Sequence, residues 1–192
     1  MKKTVPVTPL GLPCPVYIIA TYNEDGTVDA MNAGWTGTCG AKPFSIMVAL
    51  NTGRRTRENV LRTGKFTVCI GGKSLMDVSD YFGCISGAKE DKIKGAGVHV
   101  SKGEVLETPI IDEYPINLEC EVSFTKEIGP HLMVVGEVKN MIVDDEILGE
   151  DGKVVLEKLQ PIALDSITMR YIECDKVIGK AHGEGEKFVQ TK

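Results

Sequence analysis

The chain has 192 residues, enough to bury a sizeable core, and at roughly 100 to 200 residues per domain the whole span 1–192 reads as one domain. With 42% hydrophobic and 26% charged residues, the composition excludes collagen-like and wholly disordered chains. A net charge of −5 argues against wrapping phosphate-rich nucleic acid, while leaving room for a local basic site.

The N-terminal segment carries Lys2 and Lys3, but Pro6, Pro9, Pro13 and Pro15 interrupt what a secretion signal needs as an apolar core, so the reading is cytoplasmic. No apolar run approaches the ~18 residues of a membrane helix. The longest, Val16 to Ala20 and Ile46 to Leu50, have strand length, and no membrane association is expected. Val16 to Tyr22 is a strand, Asn23-Glu24-Asp25-Gly26 supplies turn chemistry, and Thr27 to Asn32 returns as the second half of a hairpin. Asn32 to Thr38 then gives way to small and hydroxyl residues around the only tryptophan, Trp35. Ser45 to Asn51 and Lys65 to Ile70 are further strands. Between them a short helix spans Arg57 to Thr63, with Thr56 as its cap and Gly64 as its stop. A second helix runs from Leu75 to Phe82, with Ser74 and Asp77 spaced as a capping box and Gly83 ending it.

The clearest alternation follows. Ile116, Leu118, Cys120, Val122 and Phe124 point one way and Asn117, Glu119, Glu121 and Ser123 the other, the pattern of a half-buried antiparallel strand. Gly129-Pro130 turns the chain and Leu132 to Val143 runs back, after which the acids from Asp144 to Asp151 mark a solvated loop. Ala163 to Cys174 holds one or two more strands before a Gly-rich charged tail. Many short strands with few short helices point to a mostly β, closed or nearly closed antiparallel barrel with helical inserts. The six cysteines form no C-x-x-C pair, and with His99, His131 and His182 they give no zinc spacing, so no metal is expected. Cys69 and Cys120 read as small core residues in a reducing compartment.

Three stretches could carry chemistry. In Asn51-Thr-Gly-Arg-Arg-Thr-Arg-Glu-Asn59 a strand leaves through a Gly turn, gathers three arginines and enters a helix. Free N–H groups and the positive dipole end would favour a phosphate there, with Arg and the Thr56 hydroxyl as donors. The alternative is a solvated helix face with weak surface ion pairs. Asn32 to Thr38 would let backbone approach a flat ligand, or else Trp35 plugs the core or an interface. Asp80 to Lys92 is a helix end and a polar loop, and His131 stands beside a turn. Walker A, G-x-G-x-x-G and G-x-S-x-G patterns are absent from these contexts.

The order of these motifs resembles the flavoredoxin branch of the flavin reductase-like, FMN-binding split-barrel family, over roughly Pro13 to Lys187. The motifs are Pro15-Val16 with the Asp25-Gly26 hairpin, Asn32 to Thr38, Arg54-x-Thr56, and Asp80-Tyr81-x-Gly83 with Ser86-Gly87 and Asp91-Lys92. Leu118-Glu119-Cys120, His131, Gly136-Glu137-Val138 and Leu159-x-Pro161 before Tyr171 complete the series. The resemblance implies a six-stranded antiparallel, Greek-key-like split barrel, commonly a homodimer, holding FMN near the dimer interface. It implies that Arg54 and Thr56 bind the phosphate while Lys92 and the Ser86-Gly87 backbone close over the cofactor. Trp35, Thr36 and Gly37 would line the isoalloxazine, Asn32 and Asn51 would offer amides to the flavin or its ribityl chain, and His131 would stand near the redox face or the interface. Arg55 and Arg57 depart from the family pattern. The activity implied is NAD(P)H-dependent flavin reduction; the alternative is an electron carrier exchanging electrons with a redox protein partner. Cys39, beside the proposed flavin loop, is the cysteine to test for redox activity.

Overall fold

The computed structural model describes residues 1–9, 11, 13–174 and 176–189. A short β1 (Cys14–Pro15) leads into β2 (Tyr17–Tyr22), and β3 (Val28–Asn32) returns beside it. The turn between them works as the Asp-Gly pair suggests. Gly26 takes φ 81°, and the Asp25 carboxylate accepts from both the backbone N–H and the hydroxyl of Thr27. A second hairpin follows, β4 (Thr36–Ala41) and β5 (Phe44–Asn51). Of the Asn32 to Thr38 segment, only 33–35 is a loop; from Thr36 onward it is strand. Its glycines and hydroxyls have weak strand preference, and pairing with β5, Thr36 opposite Val48 and Gly37 opposite Met47, holds it extended.

Helix α1 (Arg55–Thr63) starts two residues before the expected Arg57. Thr56 therefore lies inside the first turn, and Arg54 takes the cap position without a side-chain cap hydrogen bond. Gly64 stops the helix at φ 66°, as anticipated. After β6 (Lys65–Ile70) and a 3₁₀ turn comes α2 (Met76–Cys84), which continues through Gly83. The Ser74–Asp77 capping box does not form, because Asp77 Oδ1 accepts from the adjacent Val78 N–H. Helix α3 (Lys92–Ala96), five residues long and capped by Asp91, has too few residues to show a period in sequence. The chain continues through β7 (Val100–Lys102), β8 (Pro109–Ile111), β9 (Ile116–Ile128), β10 (His131–Val143), α4 (Leu156–Leu159), β11 (Ile162–Asp165) and β12 (Arg170–Glu173).

The main sheet is antiparallel with order β3-β2-β6-β9-β10-β5-β4. It has seven strands where six were expected, since β4 adds itself to β5. Ile19, Val48, Phe66, Val68, Leu118 and Val134 fill the interior, each such side chain contributing about 1.5 to 3 kcal/mol by its burial. Gly136 is required there, because a Cβ would lie 2.5 Å from the Phe66 ring. On the other face of β2, β3 and β6, Ile18, Ala30, Cys69 and Phe82 form a second cluster under α2. One half of the sheet is therefore covered on both faces. This is why Asn117 and Glu119, read as solvent-facing, are buried, while Phe124 at the far end of β9 is half exposed. Cys69 and Cys120 are fully buried as expected; burial pushes the Cys120 thiol up to about 12 and raises Cys69 as well, so both are inert. Among the described residues no helix is long and apolar enough to cross a membrane.

Candidate functional site

Two groups of side chains meet where β5 runs into α1. The first is aromatic. Asn51, the last residue of β5, sits opposite His131, the first of β10. Trp35 enters from the residue before β4, its carbonyl accepting the Ala49 N–H at 2.9 Å. The indole is 45% exposed, which removes it from the core, and its ring lies 4.8 Å from the His131 ring at 44°. Gly37 faces open space, with no atom within 4 Å of where a Cβ would stand. Trp35, Gly37, Asn51 and His131 thus share one end of the β4-β5-β10 sheet.

Thr36 and Asn32 are held differently. The buried Thr36 hydroxyl donates to the Ala33 carbonyl at 2.7 Å, so it shapes the loop from inside. Asn32 Nδ2 donates to the Ser79 carbonyl at 3.1 Å and ties β3 to α2; among the described residues its Oδ1 has no partner.

The second group is ionic. The Gly53 turn is fastened to the β9–β10 hairpin by Thr52, whose N–H and hydroxyl both donate to the Pro130 carbonyl at 2.8 and 2.7 Å. Arg54 N–H returns to the Asn51 carbonyl at 3.3 Å, which sets the two groups side by side. The arginines then part. Arg57 donates to Thr52 Oγ1 and pairs with Glu127, and Arg62 donates to the Tyr22 carbonyl at 2.6 Å. Arg55 faces a polar cleft of about 530 Å³, lined also by Asn23, Glu24, Asp25, Glu58, Asn59 and Arg62, and none of the expected ligand residues line it. Among the described residues the Arg54 guanidinium makes no hydrogen bond or ion pair, and it stands at an uncapped helix start carrying about half a positive charge.

Thr56, Gly87 and Lys92 converge on a residue that sequence reasoning passed over, Asp29 of β3. The Thr56 hydroxyl donates to Asp29 Oδ2 at 2.5 Å, and Lys92 Nζ lies 3.0 Å from Oδ1 while donating to the Ala30 carbonyl. All three side chains are buried, with 1% of Thr56, 2% of Asp29 and 3% of Lys92 exposed. Gly87 packs against the same carboxylate, since an added Cβ would lie 1.9 Å from Oδ1. Ser86 makes the turn, its carbonyl accepting the Lys89 N–H at 2.9 Å and its hydroxyl the Ala88 N–H at 3.3 Å. The Lys92 charge is neutralised by Asp29, so the positive field here comes from Arg54 and α1. The available signal for Asp29 was an acid in a strand between Val28 and Ala30, a position that disfavours Asp.

Cys39 is exposed on β4. Among the described residues no cluster of His, Cys, Asp and Glu could hold a metal ion.

Comparison with known proteins bears on the family and the fold. The model of the flavin reductase like domain matches residues 10–161. The solved flavoredoxin of Desulfovibrio vulgaris (Miyazaki F) is 29% identical with a TM-score of 0.90, covering 96% of this chain and 100% of that one. The flavoredoxin from Methanosarcina acetivorans is 28% identical with a TM-score of 0.91, covering 98% and 100%. A protein of Archaeoglobus fulgidus is 30% identical over 73% of this chain and 77% of its own length. The FMN reductase (NADH) RutF of Pseudomonas syringae is 28% identical over 67% and 69%.

Proposed function

The chain belongs to the flavin reductase-like family, and on that premise we propose that it binds FMN, with the phosphate at Arg54 and the first turn of α1 and the ring beside Trp35 and His131. The observation that carries this reading is the Arg54 guanidinium, without a hydrogen bond or ion pair among the described residues, at a helix start that no described side chain caps, in a protein of net charge −5. A phosphate monoester brings about −1.5 to −2 charges near neutral pH and accepts bidentately from Arg. The donor set fits: a guanidinium with no partner among the described residues, first-turn N–H groups of α1 that no described side chain caps, and the Ser86-Gly87 turn within reach of the same corner. The ring end fits as well, with a half-exposed indole beside His131 and open space over Gly37.

Bound FMN supplies the hydride and electron chemistry. Arg54 and α1 hold its phosphate, Trp35 and Gly37 bound the ring, and Asn32 Oδ1 and the exposed Asn51 amide serve its polar edge or ribityl chain. Thr36 positions the Trp35 loop through Ala33. The Lys92 ammonium is already shared by Asp29 and Ala30, so Lys92 acts chiefly by fixing the loop that closes over the cofactor. A second copy of the chain covers the outer face of β5, β10 and β9, where Met47, Met133 and Val135 lie partly exposed beside the half-exposed Phe124 and Ile128, next to the Trp35–His131 pair. The six free thiols support a reducing, cytoplasmic setting.

The reaction proposed is flavin reduction by NAD(P)H, supported by the likeness to the FMN reductase (NADH). A second reading, an electron carrier working with a redox protein, is favoured by the likeness to the two flavoredoxins. The absorption spectrum of the protein reconstituted with FMN, followed by anaerobic mixing with NADH or NADPH, tests both. Rapid bleaching of the flavin band supports the reductase and an unchanged band the carrier. Failure to retain FMN at all overturns both.

A further inference from the structure

Three segments far apart in sequence make the phosphate end: β3, the first turn of α1, and the 86–92 loop. One carboxylate, carried by β3, touches the other two. Asp29 takes the Thr56 hydroxyl on one oxygen, faces the Lys92 ammonium with the other, and has the Gly87 backbone pressed against it. We propose that Asp29 is the positioning residue of the FMN phosphate site, holding the start of α1 and the Ser86-Gly87 turn at the separation that the phosphate requires. This rests on the FMN reading given above.

The chemistry of burial supports a positional role. A buried ion pair is often no more stabilising than apolar residues of the same volume, so its stability contribution does not explain a strand Asp here. The network also spends the Thr56 hydroxyl on Asp29, which leaves the Thr56 backbone as the part that can face a ligand. Asp29 Oδ1 makes its ion contact with Lys92 at 3.0 Å but takes no hydrogen bond among the described residues, and Gly87 leaves no room for a side chain to supply one.

The sign of the effect separates positioning from simple charge. A carboxylate acting directly would repel a phosphate, so its removal would tighten FMN binding. A carboxylate acting through Thr56, Lys92 and Gly87 would, on removal, let the donors drift and weaken it.

The test measures dissociation constants for FMN and for riboflavin, which lacks the phosphate, by quenching of flavin fluorescence, together with the thermal midpoint of the flavin-free protein. Asp29→Asn should weaken FMN binding about tenfold or more and riboflavin binding less than about threefold, as expected when a contact to a charged group is lost. Gly87→Ala keeps every charge but forces the loop off the carboxylate, and should give the same selective loss. Asp29→Asn combined with Lys92→Met removes the pair without stranding a buried ammonium. It should fold with a midpoint near the parent's and lose less FMN affinity than the two single losses combined, because the residues act as one unit. Should Asp29→Asn fail to fold, Gly87→Ala and the double variant decide. FMN affinity unchanged or improved in the variants would overturn the inference while leaving the site intact. A parent that binds riboflavin as tightly as FMN would instead overturn the site reading, and the inference with it.

Discussion

Two buried carboxylates, Asp29 on β3 and Glu119 on β9, look alike in sequence and do different work. Glu119 accepts from the N–H groups of Val105 and Leu106, the Thr108 hydroxyl and Asn140 Nδ2, and Gly103 leaves it room, since a Cβ there would lie 2.2 Å from Oε1. All its donors are neutral and both oxygens are satisfied, so it pins the 103–108 loop to the sheet. Asp29 is served by one hydroxyl and one ammonium, near a helix start whose cap residue, Arg54, has a guanidinium without a partner among the described residues. Saturation by neutral donors marks Glu119 as a structural acid, whereas Asp29 ties together the segments proposed to face the phosphate.

Breaking the structural member should give the largest effect. Glu119→Ala strands four donors and should cost about 3 to 5 kcal/mol in urea unfolding. FMN affinity of the folded fraction should not change, and a selective FMN loss would erase the distinction between the two acids. Burial alone would raise the Glu119 carboxyl, but Asn140, Leu106, Val105 and Thr108 outweigh it and hold it below the usual carboxylate range. Such a group binds fewer protons folded than unfolded, so its stability is present above about pH 4.3 and fades as pH falls through the lower folded value. The stability gap between the parent and Glu119→Gln should therefore narrow as acid is added below about pH 4, measured by denaturant midpoints across pH.

The ligand-facing partner comes next. Arg54→Ala should weaken FMN binding by about 1.5 to 3 kcal/mol and leave riboflavin within about threefold, as judged by parallel titrations. Trp35→Ala should weaken both flavins alike by about 0.5 to 1.5 kcal/mol and shift the bound flavin spectrum, since the indole meets the part they share. Arg57→Ala should do least. Its ion pair with the exposed Glu127 is worth about 0 to 1 kcal/mol, and FMN affinity should hold, which would confine the basic corner's function to Arg54.

The parts of the fold that were legible are those whose local chemistry and tertiary setting agree. Lys65 to Ile70 forms the strand its apolar run announces, and Asp25-Gly26 and Gly64 turn and stop the chain as their backbone freedom allows. Strand β4 was hidden because its small residues acquire extended form only from β5. Asn117 and Glu119 broke the alternation rule because the sheet is covered on both faces there. At the site, Trp35, Asn51 and His131 could be named one by one, and their gathering is a product of strand register. The oddity of an acid in a strand was legible, but the role of Asp29 was not, because its partners come from α1 and from Gly87 and Lys92 some sixty residues downstream, Lys92 being bonded to the neighbouring Ala30 across 62 positions.

The most direct test of the FMN site is a crystal structure of the protein with FMN. The account predicts the phosphate against Arg54 and the first turn of α1, with the ring beside Trp35 and His131. A phosphate seated in the Arg55–Arg62 cleft, or a ring far from Trp35, would contradict it.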